Sequence, residues 1–409
     1  MATSDIVIVG GGPAGMMAAI KAAETLGDGS RICLYDKNDR LGRKIYLTGK
    51  GRCNLTNIRP WSEFSEHIHP SAQFFKTAFR AFSNEATVKF FESIGVPCIE
   101  QQGRRIFPAS LRAADVAQSL ERRVEQLGVQ VRRGESLEAG DPVLSDAKAL
   151  IIATGGKSYP TTGSTGDGYA MAEAFGHTTS RTFPSETALL PRDYADIFQS
   201  LAQGGPAIEV KNAGLTLFVD KDSVQTEQGD FNFTGDGLES GIAYWLSRRA
   251  VWALLNGQKA EIVLDLKPAL TPEKLASRIA RDVCEMPGKP QMGRLLRGLL
   301  PETLIDPFRR ANPDLTIENL PVRLKEWHFK IAGYKGYDRA VVTAGGVSLK
   351  EVVPKTMASR LREGLFFAGE VLDLDGDTGG YNLQIAFSTG ALAGVSAAKY
   401  IQKSLPGAE

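Results

Sequence analysis

The chain has 409 residues, of which 43% are hydrophobic and 23% are charged, so it is long enough for two or three domains and too apolar to be disordered. Its 48 basic and 47 acidic side chains leave a formal net charge of +1, which disfavours a surface that coats nucleic acid. No apolar stretch approaches the roughly 18 residues that cross a bilayer, and the first residues lack the basic start of a signal peptide. We therefore expect a cytoplasmic protein with no nucleic-acid or membrane partner.

The first elements in chain order form a βαβ unit. Residues 5–9 are a continuous apolar run, as expected for a parallel strand buried on both faces. Residues 13–26 carry apolar side chains at helical spacing and stop at Gly27, and residues 31–35 predict the second strand. This order predicts an α/β chain with a parallel sheet.

A glycine-rich turn joins the first strand to the first helix, with Gly10, Gly12 and Gly15 at the spacing of a dinucleotide-binding fingerprint. Gly10 permits the tight turn, Gly12 lets the backbone approach a pyrophosphate, and Gly15 allows close packing of helix on strand. Asp36 follows Gly15 by 21 residues and is expected to bind the adenosine ribose hydroxyls. The turn therefore predicts a bound dinucleotide, but by itself it does not separate FAD from NAD.

Amphipathic spacing predicts the next elements. Two helices are expected within residues 71–95 and another over 115–127, followed by strands at 129–132 and 149–153. The strand at 149–153 is a continuous apolar run and should be buried in the same parallel sheet.

The middle of the chain has a different character. From about residue 185 the pattern is one of short alternating strands, and between residues 240 and 327 it becomes helical, with prolines as interruptions. Parallel-type strands return at 340–344 and 364–368, and a final helix is predicted over 380–402. Because glycine-rich loops occur in both end regions, we expect one discontinuous cofactor domain with an insert. The predicted divisions are 1–185 and 336–409 for the cofactor domain, 186–240 with 320–335 for a β-rich part of the insert, and 241–319 for its helical part.

Five segments resemble, in the same order, the three-domain bacterial FAD-dependent oxidoreductase family of YhiN/BaiN type, which includes aminoacetone oxidase-like flavoproteins. They are LGRKIYLTGKGRCNLTN (41–57), GRRIFPAS (103–110), TGDGYAMAEAFGH (165–177), VTAGGVSLKEVVPKTMASRL (342–361) and GLFFAGEVLDLDGDTGGYNLQIAFSTG (364–390). The resemblance spans almost the whole chain. It implies an α/β fold with a Rossmann-like, two-dinucleotide-binding FAD domain that is discontinuous, and an insert with a β-barrel-like part and a helical part. The sequence departs from the family pattern at residues 233–241 and at Ile385. Both departures weaken any inference of this protein's substrate from that of a relative.

The resemblance also implies a set of cofactor-binding residues. FAD is expected to be non-covalent, because residues 44–54 contain no histidine that could bond to the flavin. The N–H groups that open the last helix are expected to face the N1–C2=O edge of the isoalloxazine ring, where reduction places negative charge. The expected cofactor-binding residues are Gly10, Gly12, Pro13, Ala14, Gly15, Asp36, Lys37, Arg43, Lys44, Gly51, Arg52, Cys53, Asn54, Ala153, Thr154, Gly155, Gly369, Glu370, Gly379, Gly380, Tyr381, Asn382 and Leu383.

Several of these roles have alternatives. Asn382 is expected either to donate to the flavin or to cap the last helix. Cys53 could face the flavin, although a free cysteine is more often a small buried hydrophobe. Glu370 and Asp377 could bind the ribityl hydroxyls or order their loop. Lys44 is expected to contact a phosphate or a substrate carboxylate rather than solvent alone.

No metal site is expected, because no further ligand in the sequence completes a shell around the pair His67 and His69. The four cysteines include no two closer than 20 residues, which excludes a CxxC redox pair. The catalytic acid or base and the oligomeric state stay unassigned.

The function predicted is that of an FAD-dependent oxidoreductase that reduces a conjugated C=C bond of a small organic substrate. NAD(P)H would enter transiently as the electron donor, since only one complete fingerprint with its acid occurs. One alternative is an amine or amino-ketone oxidase that uses oxygen. Another, from a different class, is a flavin-containing binding or RNA-modification-associated protein without small-molecule turnover. The insert is expected to set substrate choice, or else to serve assembly.

Overall fold

The computed structural model describes residues 4–286 and 291–404, so the outermost ends of the predicted cofactor domain lie outside the described residues. The chain divides into two compact units. Unit 1 contains the residues up to Phe183 and from Val341 onward, and unit 2 contains Pro184–Ala340. Within the described residues, no helix has both the length and the apolar character of a membrane span.

The first part of unit 1 alternates strands and helices. Its strands are β1 (Ile6–Val9), β2 (Ile32–Asp36), β3 (Thr56–Asn57), β4 (Ile68–His69), β5 (Cys98–Gln101), β6 (Arg105–Pro108), β7 (Gln130–Arg133), β8 (Ala149–Ile152) and β9 (Phe183–Ser185). Its helices are α1 (Pro13–Leu26), α2 (Trp61–Phe64), α3 (Ala72–Ala81), α4 (Asn84–Ser93), α5 (Ala113–Gln126), α6 (Pro142–Asp146) and α7 (Asp167–Ala174).

Unit 2 is built around a closed antiparallel barrel with the strand order β10-β13-β12-β11-β14-β15. These strands are β10 (Leu189–Pro191), β11 (Ile208–Val219), β12 (Asp222–Thr234), β13 (Gly237–Glu239), β14 (Ala260–Asp265) and β15 (Trp327–Tyr334). The helices are α8 (Tyr194–Ile197), α9 (Gln199–Ala202), α10 (Ile242–Leu255), α11 (Pro272–Cys284), α12 (Met292–Arg297), α13 (Glu302–Ala311) and α14 (Leu320–Lys325).

One element of unit 2 differs from the sequence-based prediction. The segment 241–319 was expected to be helical, but β14 lies inside it and pairs with both β11 and β15. Its side chains alternate between buried and half-buried, beginning with buried Ala260. Because the strand has only six residues between two helices, its period-2 pattern is masked by the helical pattern around it.

The last part of the chain returns to unit 1. Its elements are β16 (Val342–Ala344), β17 (Val352–Val353), β18 (Ala358–Ser359), β19 (Leu365–Phe367), β20 (Asp375–Gly376) and α15 (Tyr381–Lys403). These elements complete a seven-stranded sheet with the order β17-β18-β19-β8-β1-β2-β7, in which β19, β8, β1, β2 and β7 run parallel. Every residue of β1 and of β8 is buried, as expected for strands covered on both faces.

Helices α1 and α15 pack closely through small residues. A Cβ atom added to Gly390 would lie 2.3 Å from the carbonyl oxygen of Ala14, and one added to Gly394 would lie 2.2 Å from that of Ala18. Such distances leave no room for a side chain, so the two helices approach each other on their backbones. Together the sheet, these helices and the barrel confirm the predicted α/β class with a Rossmann-like sheet and an inserted barrel with helices.

Candidate functional site

A cleft in unit 1 lies at the carboxyl ends of the parallel strands and has a cavity volume of about 180 Å³. Its lining includes the residues that directly follow β1, β2 and β8, and residues 135–137, which come shortly after β7. In open α/β sheets this edge is where ligands bind, because loops and helix N-termini converge there. The cleft is therefore the candidate site.

The glycine-rich turn after β1 forms one wall of the cleft. Gly10 has φ of +104°, and a Cβ atom there would lie 2.4 Å from the carbonyl oxygen of Ala153, so only glycine fits between β1 and β8. Gly15 packs beneath the turn, where a Cβ atom would lie 1.8 Å from the Gly10 oxygen. Gly12 differs from both, because a Cβ atom there meets no protein atom within 4 Å. The open side of the turn thus faces the cleft at Gly12.

Asp36 at the end of β2 holds this turn in place. The N–H of Gly11 donates to Asp36 Oδ2 at 2.6 Å, and the backbone and side-chain N–H groups of Asn38 both donate to Asp36 Oδ1 at 2.8 Å. The carboxylate therefore ties the first turn to the loop after β2. Asp36 lines the cleft, and one of its about four acceptor sites is left by these three hydrogen bonds.

A second polar group lies on the same side of the cleft. Lys37 Nζ pairs with Asp167 at the start of α7 and donates to Thr165 Oγ1 at 2.5 Å. Burial alone would raise the pKa of the Asp167 carboxyl, but hydrogen bonds from Lys37 and Thr165 outweigh it and lower that pKa. Asp167 is therefore ionised at neutral pH and neutralises Lys37.

An ion pair bridges two distant parts of the chain at the opposite wall. Lys44 Nζ lies 2.8 Å from Glu370 Oε2, with both side chains about one-fifth exposed. The other oxygen of Glu370 accepts hydrogen bonds from the backbone N–H of Thr343 at 2.7 Å and from Ser158 Oγ at 3.3 Å. The pair gives this wall two charges of opposite sign, and Glu370 is held by β16 and by the loop after β8.

The N-terminus of α15 forms a further wall, with Asn382 and Leu383 in the lining. The helix begins after Gly380, and no side chain caps it. Asn382 does not act as the cap, because its Oδ1 accepts from the N–H of Gly376 at 2.8 Å and its Nδ2 donates to the Gly376 oxygen at 2.6 Å. The first N–H groups of α1 and of α15, which have no partner inside their helices, therefore lie along one cleft.

Fourteen of the 23 predicted cofactor-binding residues line this cleft. They are Gly10, Gly12, Pro13, Ala14, Asp36, Lys37, Arg43, Lys44, Ala153, Thr154, Gly155, Glu370, Asn382 and Leu383. The other nine lie outside its lining, namely Gly15, Gly51, Arg52, Cys53, Asn54, Gly369, Gly379, Gly380 and Tyr381.

The nine residues outside the lining have other contacts. The Arg52 guanidinium packs over the ring of Phe107 at 5.3 Å, and the ring of Tyr381 stacks on His67 at 4.4 Å between centroids. Gly380 approaches the backbone of Thr56 so closely that an added Cβ atom would lie 2.4 Å from its carbonyl carbon. The partners in these three contacts, Phe107, His67 and Thr56, also lie outside the cleft lining.

The sequence analysis missed part of the lining. Residues 135–137 follow β7 at the same edge of the sheet. Asp167 also lines the cleft; it lies in the family-like segment 165–177 but was not among the expected site residues. Once β7 was predicted, the rule that ligands bind at the carboxyl ends of parallel strands could have found residues 135–137. Residues 162–164 also line the cleft, but no sequence pattern predicts this, because they lie in the irregular connection between β8 and α7.

Cys53 is fully buried, and burial raises the pKa of its thiol to about 12. Cys284 is exposed. We therefore expect a thiol reagent at pH 8 to modify Cys284 rapidly in the native protein and to leave Cys53 unmodified until the protein unfolds, because only an accessible thiolate reacts. Counting fast-reacting thiols in the wild type and in Cys284→Ser checks this expectation. A fast phase that persists in Cys284→Ser and maps to Cys53 would contradict it.

The four histidines divide into three settings. His67 and His69 both bond to Asp377, a partner that the sequence analysis did not foresee for this pair. His177 bonds to Ser359, and burial lowers its pKa, whereas His328 lies on the barrel strand β15. Within residues 4–286 and 291–404, no group of three or more metal-ligating side chains is arranged to hold a metal ion.

Comparison with known proteins gives full-length matches. The family model described as HI0933-like protein Rossmann domain matches residues 4–396. The chain is 31% identical to the 3-dehydro-bile acid delta(4,6)-reductase of Clostridium scindens, over 96% of this chain and 99% of that protein. It is 28% identical to the ribosomal RNA dihydrouridine synthase of Haemophilus influenzae, over 94% of this chain and 96% of that protein.

Among solved structures, the 3-ketosteroid-delta4-(5alpha)-dehydrogenase from Rhodococcus jostii aligns with a TM-score of 0.47 and 14% identity, covering 97% of this chain and 96% of that one. The family match and the relative that is 31% identical each extend over nearly all of the described residues. The chain therefore belongs to the HI0933-like Rossmann family, in agreement with the resemblance in its sequence, and is an oxidoreductase of that family.

Proposed function

We propose that this protein is an FAD-dependent reductase of a carbon–carbon double bond conjugated with a carbonyl group. The observation that carries the proposal is the cleft at the carboxyl edge of the sheet, which combines the fingerprint turn, the acid after β2 and two helix N-termini. A dinucleotide with two phosphates, a ribose and an electron-accepting ring that gains negative charge on reduction has groups that match each of these features.

The residues present fit FAD. Open space at Gly12 leaves room for a pyrophosphate against the backbone, and the remaining acceptor site of Asp36 suits a ribose hydroxyl. Uncapped N–H groups at the start of α15 suit the pyrimidine edge of the flavin. When bound, FAD would supply hydride-transfer chemistry, and the protein would supply position and electrostatics.

The names of the two relatives support the proposal that the bond reduced is a conjugated C=C bond. A 3-dehydro delta(4,6) bile acid has double bonds conjugated with a ketone, and a dihydrouridine synthase saturates the C=C bond of uracil beside its carbonyl. Both names describe reduction of an electron-poor C=C bond, which favours a reductase over an amine or amino-ketone oxidase. NAD(P)H is proposed as the electron donor of this reduction, and it would bind only transiently at the flavin, because the chain has only one complete fingerprint with its acid.

A second candidate is the same reaction on a uridine of ribosomal RNA. It is favoured by the relatives of that name in Haemophilus influenzae and Escherichia coli, each 28% identical over 94% of this chain. The near-neutral charge of the chain had suggested no nucleic-acid partner, and these relatives leave that question to experiment.

The role of unit 2 in substrate choice also stays a prediction.

The test is an anaerobic reoxidation experiment. Protein with bound flavin is reduced with NADH or NADPH and then mixed with a 3-keto-delta4 steroid, a simple cyclic enone, unmodified ribosomal RNA, or oxygen. We expect a conjugated substrate to reoxidise the flavin at least tenfold faster than oxygen does, with formation of the saturated product. Reoxidation by RNA alone would select the second candidate. Flavin reduction by an amine or amino-ketone, without reoxidation by any conjugated substrate, would contradict the proposal.

Asp36 offers a separate prediction about the cofactor. We expect Asp36→Ala to weaken FAD binding by about 1–3 kcal/mol, through loss of charge-assisted hydrogen bonds to the ribose. Because Asp36 also accepts from Gly11 and Asn38, the apoprotein should lose some stability too. Asp36→Asn keeps an acceptor and serves as the matched control. The dissociation constant for FAD and the melting temperature of the apoprotein are measured for both variants, and an unchanged constant in Asp36→Ala would make the acid a bystander.

A further inference from the structure

Two histidines hold one carboxylate in unit 1. His67 Nδ1 lies 2.9 Å from Asp377 Oδ2, and His69 Nε2 lies 3.0 Å from Asp377 Oδ1. Each of the three side chains is between 17% and 27% exposed, so the cluster is mostly shielded from water. The three residues, here called the His–Asp–His cluster, join parts of the chain about 310 residues apart.

The backbone around the cluster is tied in the same way. Strand β4 pairs with β20, with His69 opposite Asp375, and the N–H of Asp377 donates to the carbonyl oxygen of His67 at 3.0 Å. On its other side the same segment is held by Asn382, whose amide bonds to Gly376 twice. The segment from β20 to the start of α15 is therefore fixed both by the cluster and by the first turn of the helix.

This segment needs external contacts, because it ends in two glycines. Gly379 and Gly380 have φ of +133° and +101°, and glycine has little conformational preference of its own. The carbonyl oxygen of Gly379 accepts from Asn57 Nδ2 at 3.1 Å, and the ring of Tyr381 stacks on His67. The direction in which α15 presents its first N–H groups thus depends on contacts that include His67.

The cluster also places a charge near that helix start. Burial would raise the pKa of the Asp377 carboxyl, but the hydrogen bonds from His67 and His69 outweigh it and lower that pKa. Arg59 and Glu63 are the other charged groups around Tyr381, and they pair with each other at 2.5 Å. Of the two carboxylates, Glu63 and Asp377, only Asp377 has no ion pair with a guanidinium or ammonium group within the described residues.

We propose that the His–Asp–His cluster positions the turn before α15 and, through the charge of Asp377, tunes the reduction potential of the flavin bound at that helix start. The tuning rests on the proposed function, whereas the positioning does not. His67, His69 and Asp377 are positioning residues here, since none of them lines the cleft. A negative charge near the pyrimidine edge disfavours the anionic reduced flavin, so its removal should raise the potential.

Three variants separate positioning from charge. His67→Asn with His69→Gln keeps an amide N–H near each original donor nitrogen but cannot carry a positive charge. His67→Ala with His69→Ala removes both donors. Asp377→Asn removes the negative charge and can still bond to both rings, because a neutral imidazole can present either a donor or an acceptor nitrogen. His328→Asn, on the barrel strand, is the control for loss of a histidine.

The first measurement needs no cofactor. Amide hydrogen exchange of the apoprotein over residues 375–383 should be about tenfold faster in the double alanine variant than in the wild type, with the rest of α15 unchanged. The Asn–Gln variant should stay within about threefold of the wild type. Equal exchange in the double alanine variant and the wild type would overturn the positioning role, whether or not the protein binds flavin.

The second measurement uses the flavin-loaded protein at pH 8.5, above the range in which imidazole titrates. For Asp377→Asn we expect the ratio of reduced to oxidised flavin at a fixed potential to rise about tenfold, which is about 30 mV for a two-electron couple. The FAD dissociation constant should change by less than about threefold in this variant and increase about tenfold in the double alanine variant. An unchanged potential in Asp377→Asn would overturn the tuning. A wild type that binds no FAD would refute the proposed function and the tuning, while the exchange measurement still decides the positioning.

Discussion

Gly12→Val should abolish FAD binding and leave the apoprotein folded. Gly12 has φ of −74°, which any residue can adopt, and a Cβ atom there meets no protein atom within 4 Å. The added side chain would therefore cost the protein little more than a weaker helix cap, about 1 kcal/mol or less. It would, however, occupy the space beside the turn where the pyrophosphate is proposed to lie.

Fluorescence titration of the apoprotein with FAD measures this effect, and we expect at least a hundredfold increase in the dissociation constant. Gly15→Ala is the matched contrast, because its Cβ atom would lie 1.8 Å from the Gly10 oxygen. The melting temperature of the apoprotein should fall in Gly15→Ala and stay unchanged in Gly12→Val. Wild-type affinity in Gly12→Val would mean that no dinucleotide binds at this turn.

Gly394→Val should have the largest effect on stability. The Cβ atom alone would lie 2.2 Å from the carbonyl oxygen of Ala18 on α1, and the branched methyl groups would add further overlap. Since both partners are helix backbone, neither can move aside without separating α15 from α1. We expect a loss of about 3 kcal/mol or more, at the upper end of the range for overpacked cores.

Urea unfolding of the apoprotein, followed by helical circular dichroism, checks the expectation. Gly293→Val in α12 is the matched control, because that glycine is also helical and a Cβ atom there meets nothing within 4 Å. The control should stay within about 0.5 kcal/mol of the wild type. If Gly394→Val unfolds like the control, the close approach of α1 and α15 does not limit stability.

Local patterns in the sequence predicted much of unit 1. The helix expected over residues 13–26 is α1, with the same limits, and the strand expected over 149–153 is β8 within one residue. The final helix expected over 380–402 is α15, again within one residue at each end. These elements have strong signals, since α1 and α15 are long apolar-periodic runs that begin after a glycine and β8 is a fully apolar run.

Contacts between distant residues could not be predicted in this way. Lys44 was expected to meet a phosphate or a substrate, and the sequence held nothing to indicate its pairing with Glu370, 326 residues away. Asp377 was expected to bind the ribityl chain or to order its loop, but its contact with His67 and His69 could not be predicted, because it depends on the pairing of two-residue strands. Strand β14 was missed for a similar reason, as its partners lie on both sides of a helical region. Sequence patterns thus predicted local elements, whereas the partners of individual side chains and strands depend on the tertiary fold.

The parallel sheet of unit 1 has a consequence for the order of synthesis. Strand β8 pairs with β1 on one side and with β19 on the other, and β19 is translated only after the whole of unit 2. While the barrel leaves the ribosome, β8 of the nascent chain is an unpaired edge made of the apolar residues 149–152, and α1 lacks the helix that covers it. Exposed apolar edges invite pairing with other chains. A polypeptide that stalls before residue 365 therefore carries the cofactor turn but cannot complete the cleft, and it exposes an apolar strand edge that the complete chain covers.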